Sequence, residues 1–181
     1  MVWNYGDIYE AVADVMDSSA PALIHRDQVI TWGEFEHRTN NLARALLDAG
    51  LVTGDKVAFY LRNHSAYMET LAACFKARLT HVNINYRYVE DELWYILDNS
   101  DAKAVVFDAD FRDRVEALQH RPLQVESWIQ VKEEDKESMA ARSQSAKKEE
   151  REVLEYGVKM EIVPYIIDSN TVTLNIIDAS V

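Results

Sequence analysis

The chain has 181 residues, 48% of them hydrophobic, and a formal net charge of -12. This apolar fraction is sufficient for a folded core, and the acidic balance argues against nucleic-acid binding, because neutralising phosphates requires a basic face. No apolar run approaches the roughly 18 residues that a membrane span needs, and the first residues lack the basic start and apolar core of a signal peptide. Cys74 is the single cysteine, which excludes an internal disulfide and a cysteine zinc site. We therefore expect a globular protein of the cytoplasm, with neither a membrane span nor a nucleic-acid partner.

The chain begins with a helix and a hairpin. Apolar residues recur at helical spacing from Ile8 to Met16, which predicts the helix. Pro21–His25 and Gln28–Thr31 are short extended runs separated by two polar residues. This pattern predicts a β-hairpin.

The next helix has marked ends. Thr31 and Glu34 have the spacing of a capping box, in which each side chain satisfies the backbone N–H of the other residue. Apolar residues at helical spacing continue the helix to Ala49. Gly50 follows at the position where helices commonly end in a left-handed residue, and Leu51 is the usual apolar residue after it.

Strands then alternate with helices as far as Val131. The predicted strands are Lys56–Leu61, Thr80–Ile84, Ala104–Phe107 and Trp128–Val131. The predicted helices are one capped by Asn63 and ending near Arg78, one over Glu90–Ser100 and one over Asp110–Gln119. Such alternation is typical of a parallel sheet built from right-handed crossovers, so the fold class is α/β, doubly wound, with helices flanking the sheet.

The composition changes after Val131, so we divide the chain into residues 1–131, 132–155 and 156–181. Residues 132–155 are a mixed-charge run, which favours a solvated helix or linker. Apolar and polar residues alternate in Val158–Ile166 and Thr171–Ile177, which predicts an antiparallel β-hairpin. An isolated hairpin has little stability, so it would dock, self-associate or stay mobile.

The sequence gives little support for a phosphate-binding glycine loop, a metal site or a reactive cysteine. No glycine occurs between Gly54 and Gly157, which excludes a Walker loop and a GxGxxG loop in that range. The five histidines lack metal-ligand spacing, which favours surface or packing roles. Glu90, Asp91 and Glu92 suit the positive end of a helix better than a metal site. Cys74 lies on the apolar face of its helix and is interpreted as an inert core thiol.

Arg87 is the single charge that points most strongly to a ligand. It follows the carboxyl end of a predicted strand, which is where open α/β sheets bind ligands. Its planar fork suits a phosphate, and Tyr86 and Tyr88 on either side could pack along its stem. The alternative is an exposed loop arginine paired with Glu90 or Asp91, and the residues alone favour that alternative.

Blocks spread over about residues 2–131 resemble the opening of adenylate-forming enzymes, and most closely the fatty-acyl-CoA synthetase branch. The blocks are residues 29–35, 41–46, 54–59, 75–88, 91–93 and 98–102. Most members of the family have glycine where Arg78 stands. The resemblance implies a ligase that uses Mg-ATP to turn a carboxylic acid, such as a fatty acid, into an acyl adenylate and passes the acyl group to coenzyme A. It also implies that Arg87 contacts a coenzyme A phosphate.

The same resemblance implies that this chain lacks much of the catalytic apparatus. The family's phosphate-binding loop, adenine motif, ribose-binding aspartate and C-terminal lysine domain lie downstream and are not found in these 181 residues. We therefore expect a piece that is inactive alone, with no catalytic residue, no metal ligand and no cofactor of its own. ATP, Mg and coenzyme A belong to the full-length family.

Residues 153–181 also resemble a hairpin of bacterial secretins, the outer-membrane secretion channels. Two alternatives to the ligase therefore stay open. One is a non-catalytic binding or assembly module that forms homo-oligomers by pairing its hairpin. The other is a fragment related to a secretion channel.

Overall fold

The computed structural model describes residues 3–131, which form helices α1–α5 and strands β1–β6. In chain order they are α1 Tyr5–Ala13, β1 Pro21–His25, β2 Gln28–Thr31, α2 Trp32–Asp48, β3 Lys56–Tyr60, α3 Ser65–Lys76, β4 Thr80–Asn83, α4 Glu90–Ser100, β5 Ala102–Asp108, α5 Arg112–Leu118 and β6 Ser127–Val131. No helix within residues 3–131 is long and apolar enough to cross a lipid bilayer. The linker and hairpin predicted for residues 132–181 lie outside the described residues.

The central sheet has four strands in the order β4-β3-β5-β6, and all neighbours are parallel. The chain runs from β3 outward to β4, then crosses back to β5 on the other side of β3 and continues to β6. The predicted doubly wound α/β fold is confirmed. The order reverses between β3 and β5, and open sheets of this kind bind ligands beyond the carboxyl ends of the strands at that point.

Each face of the sheet supports its own apolar core. Val57 and Phe59 of β3 pack under α2 and α3, whereas Ala58 and Tyr60 face α4 and α5. This division follows from the pleat, because successive residues of a strand point to opposite faces. All four side chains are fully buried, so β3 is the central support for both layers.

The N-terminal helix begins earlier than its apolar pattern predicted. Asn4 and Asp7 form a capping box, with the Asp7 N–H donating to Asn4 (3.1 Å) and the Asn4 N–H donating to Asp7 (2.9 Å). This cap starts α1 at Tyr5, and the helix ends at Ala13 rather than at Met16. A Cβ on Gly6 would lie 2.5 Å from the Phe75 carbonyl oxygen, so the lack of a side chain lets α1 approach α3 closely.

The predicted hairpin and the predicted caps of α2 are confirmed. Strands β1 and β2 pair antiparallel. The Glu34 N–H donates to Thr31 (3.3 Å) and the Thr31 N–H donates to Glu34 (2.7 Å). Gly50 has a φ of 94°, and the Leu51 N–H donates to the Leu46 carbonyl (3.3 Å), which is the Schellman ending.

Helix α3 differs from prediction at its start. The N-cap is His64 rather than Asn63, and the His64 side chain makes no capping bond. It contacts Asp108 instead, so a tertiary contact replaces the local cap. At its other end α3 closes as α2 does: Arg78 takes the left-handed position at φ 59°, and the Leu79 N–H donates to the Cys74 carbonyl (2.8 Å).

The remaining elements agree with the prediction except at their ends. Helix α4 covers the predicted range, and Leu93 and Leu97 are buried. Helix α5 begins at Arg112 because a 3-10 turn over Ala109–Phe111 precedes it. Strands β3, β4, β5 and β6 lie within two residues of their predicted limits.

Candidate functional site

A cavity of about 430 Å³ opens at the carboxyl ends of β3 and β4. Carboxamides and phenols dominate its lining, and aliphatic side chains complete it. The lining residues are Asn63, Asn83, Asn85, Tyr67, Tyr86, Tyr88, Leu61, Ile84 and Ile96. Carboxamides both donate and accept hydrogen bonds, and tyrosine rings offer stacking faces. This lining suits an uncharged heteroaromatic or hydroxylated group.

Arg87 stands beside this cavity, between two of its lining residues. Its backbone N–H donates to Asn85 Oδ1 (3.1 Å), and its guanidinium lies 5.5 Å from the centre of the Tyr86 ring. The expected packing against Tyr86 is therefore present. Tyr88 is half-buried and packs against the core beneath α4 and α5, although it also lines the cavity.

The expected ion pair of Arg87 is not formed. Within the described part of the chain, no carboxylate oxygen of Glu90 or Asp91 lies within 4 Å of its guanidinium, and Asp91 pairs instead with Arg121 at 2.8 Å. The Arg87 side chain is exposed to solvent. Among the contacts of residues 3–131, nothing neutralises this cation beside the cavity, so these residues leave it available to an anionic ligand.

The sheet's reversal point carries a polar cluster that the sequence analysis missed. Asp108, at the end of β5, is 5% exposed. One of its oxygens lies 2.6 Å from His64 Nε2, and the other accepts the Arg62 N–H at 2.7 Å. The Arg62 side chain pairs with Asp110. The sequence held one signal, because these residues follow the carboxyl ends of predicted strands that prove to be neighbours.

A second missed feature is a buried ion pair between α2 and α3. Arg38 Nη2 lies 2.9 Å from both oxygens of Glu69 and donates a well-directed hydrogen bond to Oε2 alone. The Glu69 side chain is only 1% exposed. Burial raises the pKa of Glu69 above its usual value, although Arg38 and His64 act to lower it. This pair joins the two helices on one face of the sheet.

The other residues that were considered as candidate sites have structural roles. Glu90, Asp91 and Glu92 form the first turn of α4, as expected, and Glu92 accepts the Val89 N–H at 3.1 Å. Cys74 is a core residue, and burial raises the pKa of its thiol to about 12. No group of three or more His, Cys, Asp or Glu within residues 3–131 could hold a metal ion.

Comparison with known proteins identifies the family. The model of the AMP-binding enzyme family matches residues 10–172. A 3-oxocholest-4-en-26-oate–CoA ligase of Rhodococcus rhodochrous is 39% identical over 115 residues, which cover 64% of this chain and 20% of that enzyme. A medium/long-chain-fatty-acid–CoA/3-oxocholest-4-en-26-oate–CoA ligase of Mycobacterium marinum is 38% identical over 112 residues, or 62% of this chain and 20% of the relative. The chain thus spans about a fifth of the length of these relatives.

Solved structures agree with the sequence comparison. The Mycobacterium tuberculosis fatty acyl CoA synthetase superposes with a TM-score of 0.65 at 25% identity, over 87% of this chain and 31% of that one. The N-terminal domain of FACL13 from the same organism gives a TM-score of 0.66 over 91% of this chain and 42% of its own, at 24% identity, which supports the fold alone.

The resemblance of residues 153–181 to a secretin hairpin finds no support in these comparisons, and the family match itself extends to residue 172. The described fold and the matched relatives lead to one assignment. The chain belongs to the AMP-binding enzyme family and resembles the N-terminal domain of fatty acyl-CoA ligases.

Proposed function

We propose that this chain is part of an AMP-forming acyl-CoA ligase and that the nucleotide portion of coenzyme A binds at the carboxyl ends of β3 and β4. The reaction would join a carboxylic acid to coenzyme A with conversion of ATP to AMP and pyrophosphate. The observation that carries the proposal is the position of Arg87 beside the Asn- and Tyr-lined cavity.

The side chains at these strand ends have the chemistry that a phosphorylated nucleotide requires. A guanidinium offers a planar fork of donors to phosphate oxygens, and Arg87 has no carboxylate within 4 Å among the described residues. The tyrosines offer stacking faces to a base, and the asparagines offer donors and acceptors to its edge. In a chain with a net charge of -12, an anion needs such a local cation to bind.

The acyl substrate is proposed to be a fatty acid or a related carboxylate, because the matched relatives are named for such substrates. ATP and coenzyme A are cytoplasmic metabolites of the proposed reaction, so we place the chain in the cytoplasm. Homo-oligomer formation through residues 156–181 stays a prediction.

We infer that residues 1–181 do not complete the reaction alone. The sequence contains no glycine from residue 55 to residue 156 that could cradle a triphosphate, and the described residues offer no Mg site. Incubation with a fatty acid, Mg-ATP and coenzyme A should give no acyl-CoA by mass spectrometry. Turnover that grows with enzyme concentration and survives repurification would contradict this inference.

Calorimetric titration tests the proposed site directly. Coenzyme A should bind the full chain more tightly at low salt, and Arg87→Ala should weaken binding by about tenfold, since a charge-assisted hydrogen bond is lost. Arg44→Ala is the matched control, because Arg44 is 83% exposed and pairs with Asp48 of its own helix. Equal affinities for wild type, Arg87→Ala and Arg44→Ala would refute the assignment.

A further inference from the structure

Arg114 of α5 forms hydrogen bonds with the loop that carries Arg87. Arg114 Nη1 lies 2.8 Å from the Tyr60 hydroxyl, 3.2 Å from the Tyr88 carbonyl oxygen and 3.4 Å from the Tyr86 carbonyl oxygen. The Tyr60 hydroxyl itself donates to the Tyr88 carbonyl at 2.6 Å. Two side chains from two different elements therefore bind the backbone on both sides of Arg87.

These two side chains are themselves firmly placed. Tyr60 is fully buried at the end of β3, the central strand, and its ring lies 4.4 Å from that of Phe111. The Arg114 guanidinium lies 5.6 Å from the centre of the same Phe111 ring. A side chain packed into a core, as Tyr60 is, has few alternative rotamers, and the half-buried Arg114 is restrained by its contacts with Tyr60 and Phe111.

The backbone of Arg87 is fixed on its amide side as well. Its N–H donates to Asn85 Oδ1, so hydrogen bonds restrain three consecutive residues, Tyr86 to Tyr88. The direction in which the Arg87 side chain leaves the loop is consequently set before any ligand arrives. Binding groups that are already ordered lose less conformational entropy on association.

We propose that Arg114 and Tyr60 are positioning residues for Arg87: they hold the carbonyls of Tyr86 and Tyr88 so that the Arg87 guanidinium stands ready for a ligand phosphate. This inference rests on the proposed function, because it assigns Arg87 an anionic ligand. Arg114 is assigned to the loop because its Nη1 contacts one hydroxyl and two carbonyl oxygens there.

Titration of coenzyme A into single and double variants tests the proposal. Arg114→Ala and Tyr60→Phe should each weaken binding about fivefold, and Arg114→Lys should restore part of the loss because lysine can still donate to carbonyls. In the Arg87→Ala background the Arg114→Ala change should cost nothing further, since there is no side chain left to position. Arg112→Ala is the control, because Arg112 lies on the same helix and bonds Gln130 instead.

Hydrogen exchange of residues 84–89 in the ligand-free chain gives a second readout. Exchange should accelerate in Arg114→Ala and Tyr60→Phe and stay unchanged in Arg112→Ala. Unchanged exchange in the first two variants, or affinity losses that add fully to that of Arg87→Ala, would overturn the positioning role. If Arg87→Ala alone leaves the affinity for coenzyme A unchanged, the proposed coenzyme A site is refuted. The exchange data then still decide whether Arg114 and Tyr60 hold the loop.

Discussion

His64 Nε2 lies 2.6 Å from Asp108 Oδ1, which joins the turn after β3 to the end of β5 across the reversal point of the sheet. The pair is largely buried, with 21% of the His64 side chain and 7% of the Asp108 side chain exposed. The same aspartate also accepts the Arg62 N–H. This contact fixes the turn that supplies Leu61 and Asn63 to the cavity wall.

Replacing His64 should therefore loosen both the fold and the cavity. His64→Ala is expected to lower the free energy of unfolding by about 2 kcal/mol, because a hydrogen bond to a mostly buried carboxylate is lost. Urea denaturation at neutral pH measures the loss. His120→Ala is the control, since His120 is exposed after α5, and an equal small effect of both changes would contradict the prediction.

Loss of Arg38 should be more damaging than loss of an exposed arginine. Arg38→Ala leaves the Glu69 carboxylate buried without its partner, and we expect a cost of about 3 kcal/mol at neutral pH. The cost should shrink at lower pH, because the isolated carboxyl takes up a proton. Arg44→Ala should cost less than about 0.5 kcal/mol, as its partner Asp48 is also exposed. Denaturation curves of the two variants that coincide would disprove this difference.

Glu69 should also make stability depend on pH in a definite direction. Burial raises its pKa above the ordinary value of 4.5, so the folded state holds its proton more tightly than the unfolded state. Stability from this group is complete below the unfolded pKa and is lost as pH rises through the folded pKa. Wild type should therefore lose stability relative to Glu69→Gln as the pH rises above the unfolded-state value of 4.5. Parallel melting curves of the two proteins at each pH measure the difference, and a constant difference would contradict it.

The two Schellman endings offer a matched test of backbone strain. Gly50 has a φ of 94° and open space where a Cβ would lie, whereas Arg78 occupies the equivalent position at φ 59°. Gly50→Ala should cost about 1 kcal/mol, and Arg78→Gly should be more stable than Arg78→Ala by about 1 kcal/mol. Comparing glycine with alanine at residue 78 cancels the loss of the exposed Arg78–Asp7 pair. Equal stability of those two variants would show that the left-handed position carries no strain.

Cys74 should react with thiol reagents only when the chain opens. Its pKa is raised to about 12 by burial, so its thiolate fraction at pH 8 is about a thousandfold below that of a free cysteine. Labelling of the native chain by iodoacetamide should be slow and should reach the rate of free cysteine in urea. Rapid labelling without denaturant is the result that this account forbids.

Two of the departures from prediction come from contact between residues distant in sequence, whereas the early start of α1 comes from its local Asn4–Asp7 capping box. Asn63 has the right residue type for an N-cap, yet His64 starts α3 because Asp108 holds its side chain. Glu69 is a charged residue, and nothing in the sequence indicated that it would lie in the core. It is nevertheless buried, because α2 covers that side of α3 and supplies Arg38.

The sequence by itself determined the capping box at Thr31, the glycine ending at residue 50, the alternation of strands and helices, and the family, because local spacing and ordered blocks encode all of these. Only the tertiary structure decided the order of the strands and hence which strand ends meet. That order brings Arg87, the cavity, the His64–Asp108 contact and the hydrogen bonds of Arg114 to the same end of the sheet. Parallel strands joined by crossovers place their carboxyl ends together. The reason is physical: neighbours across a sheet are chosen by packing of both faces at once, and no short stretch of chain contains that information.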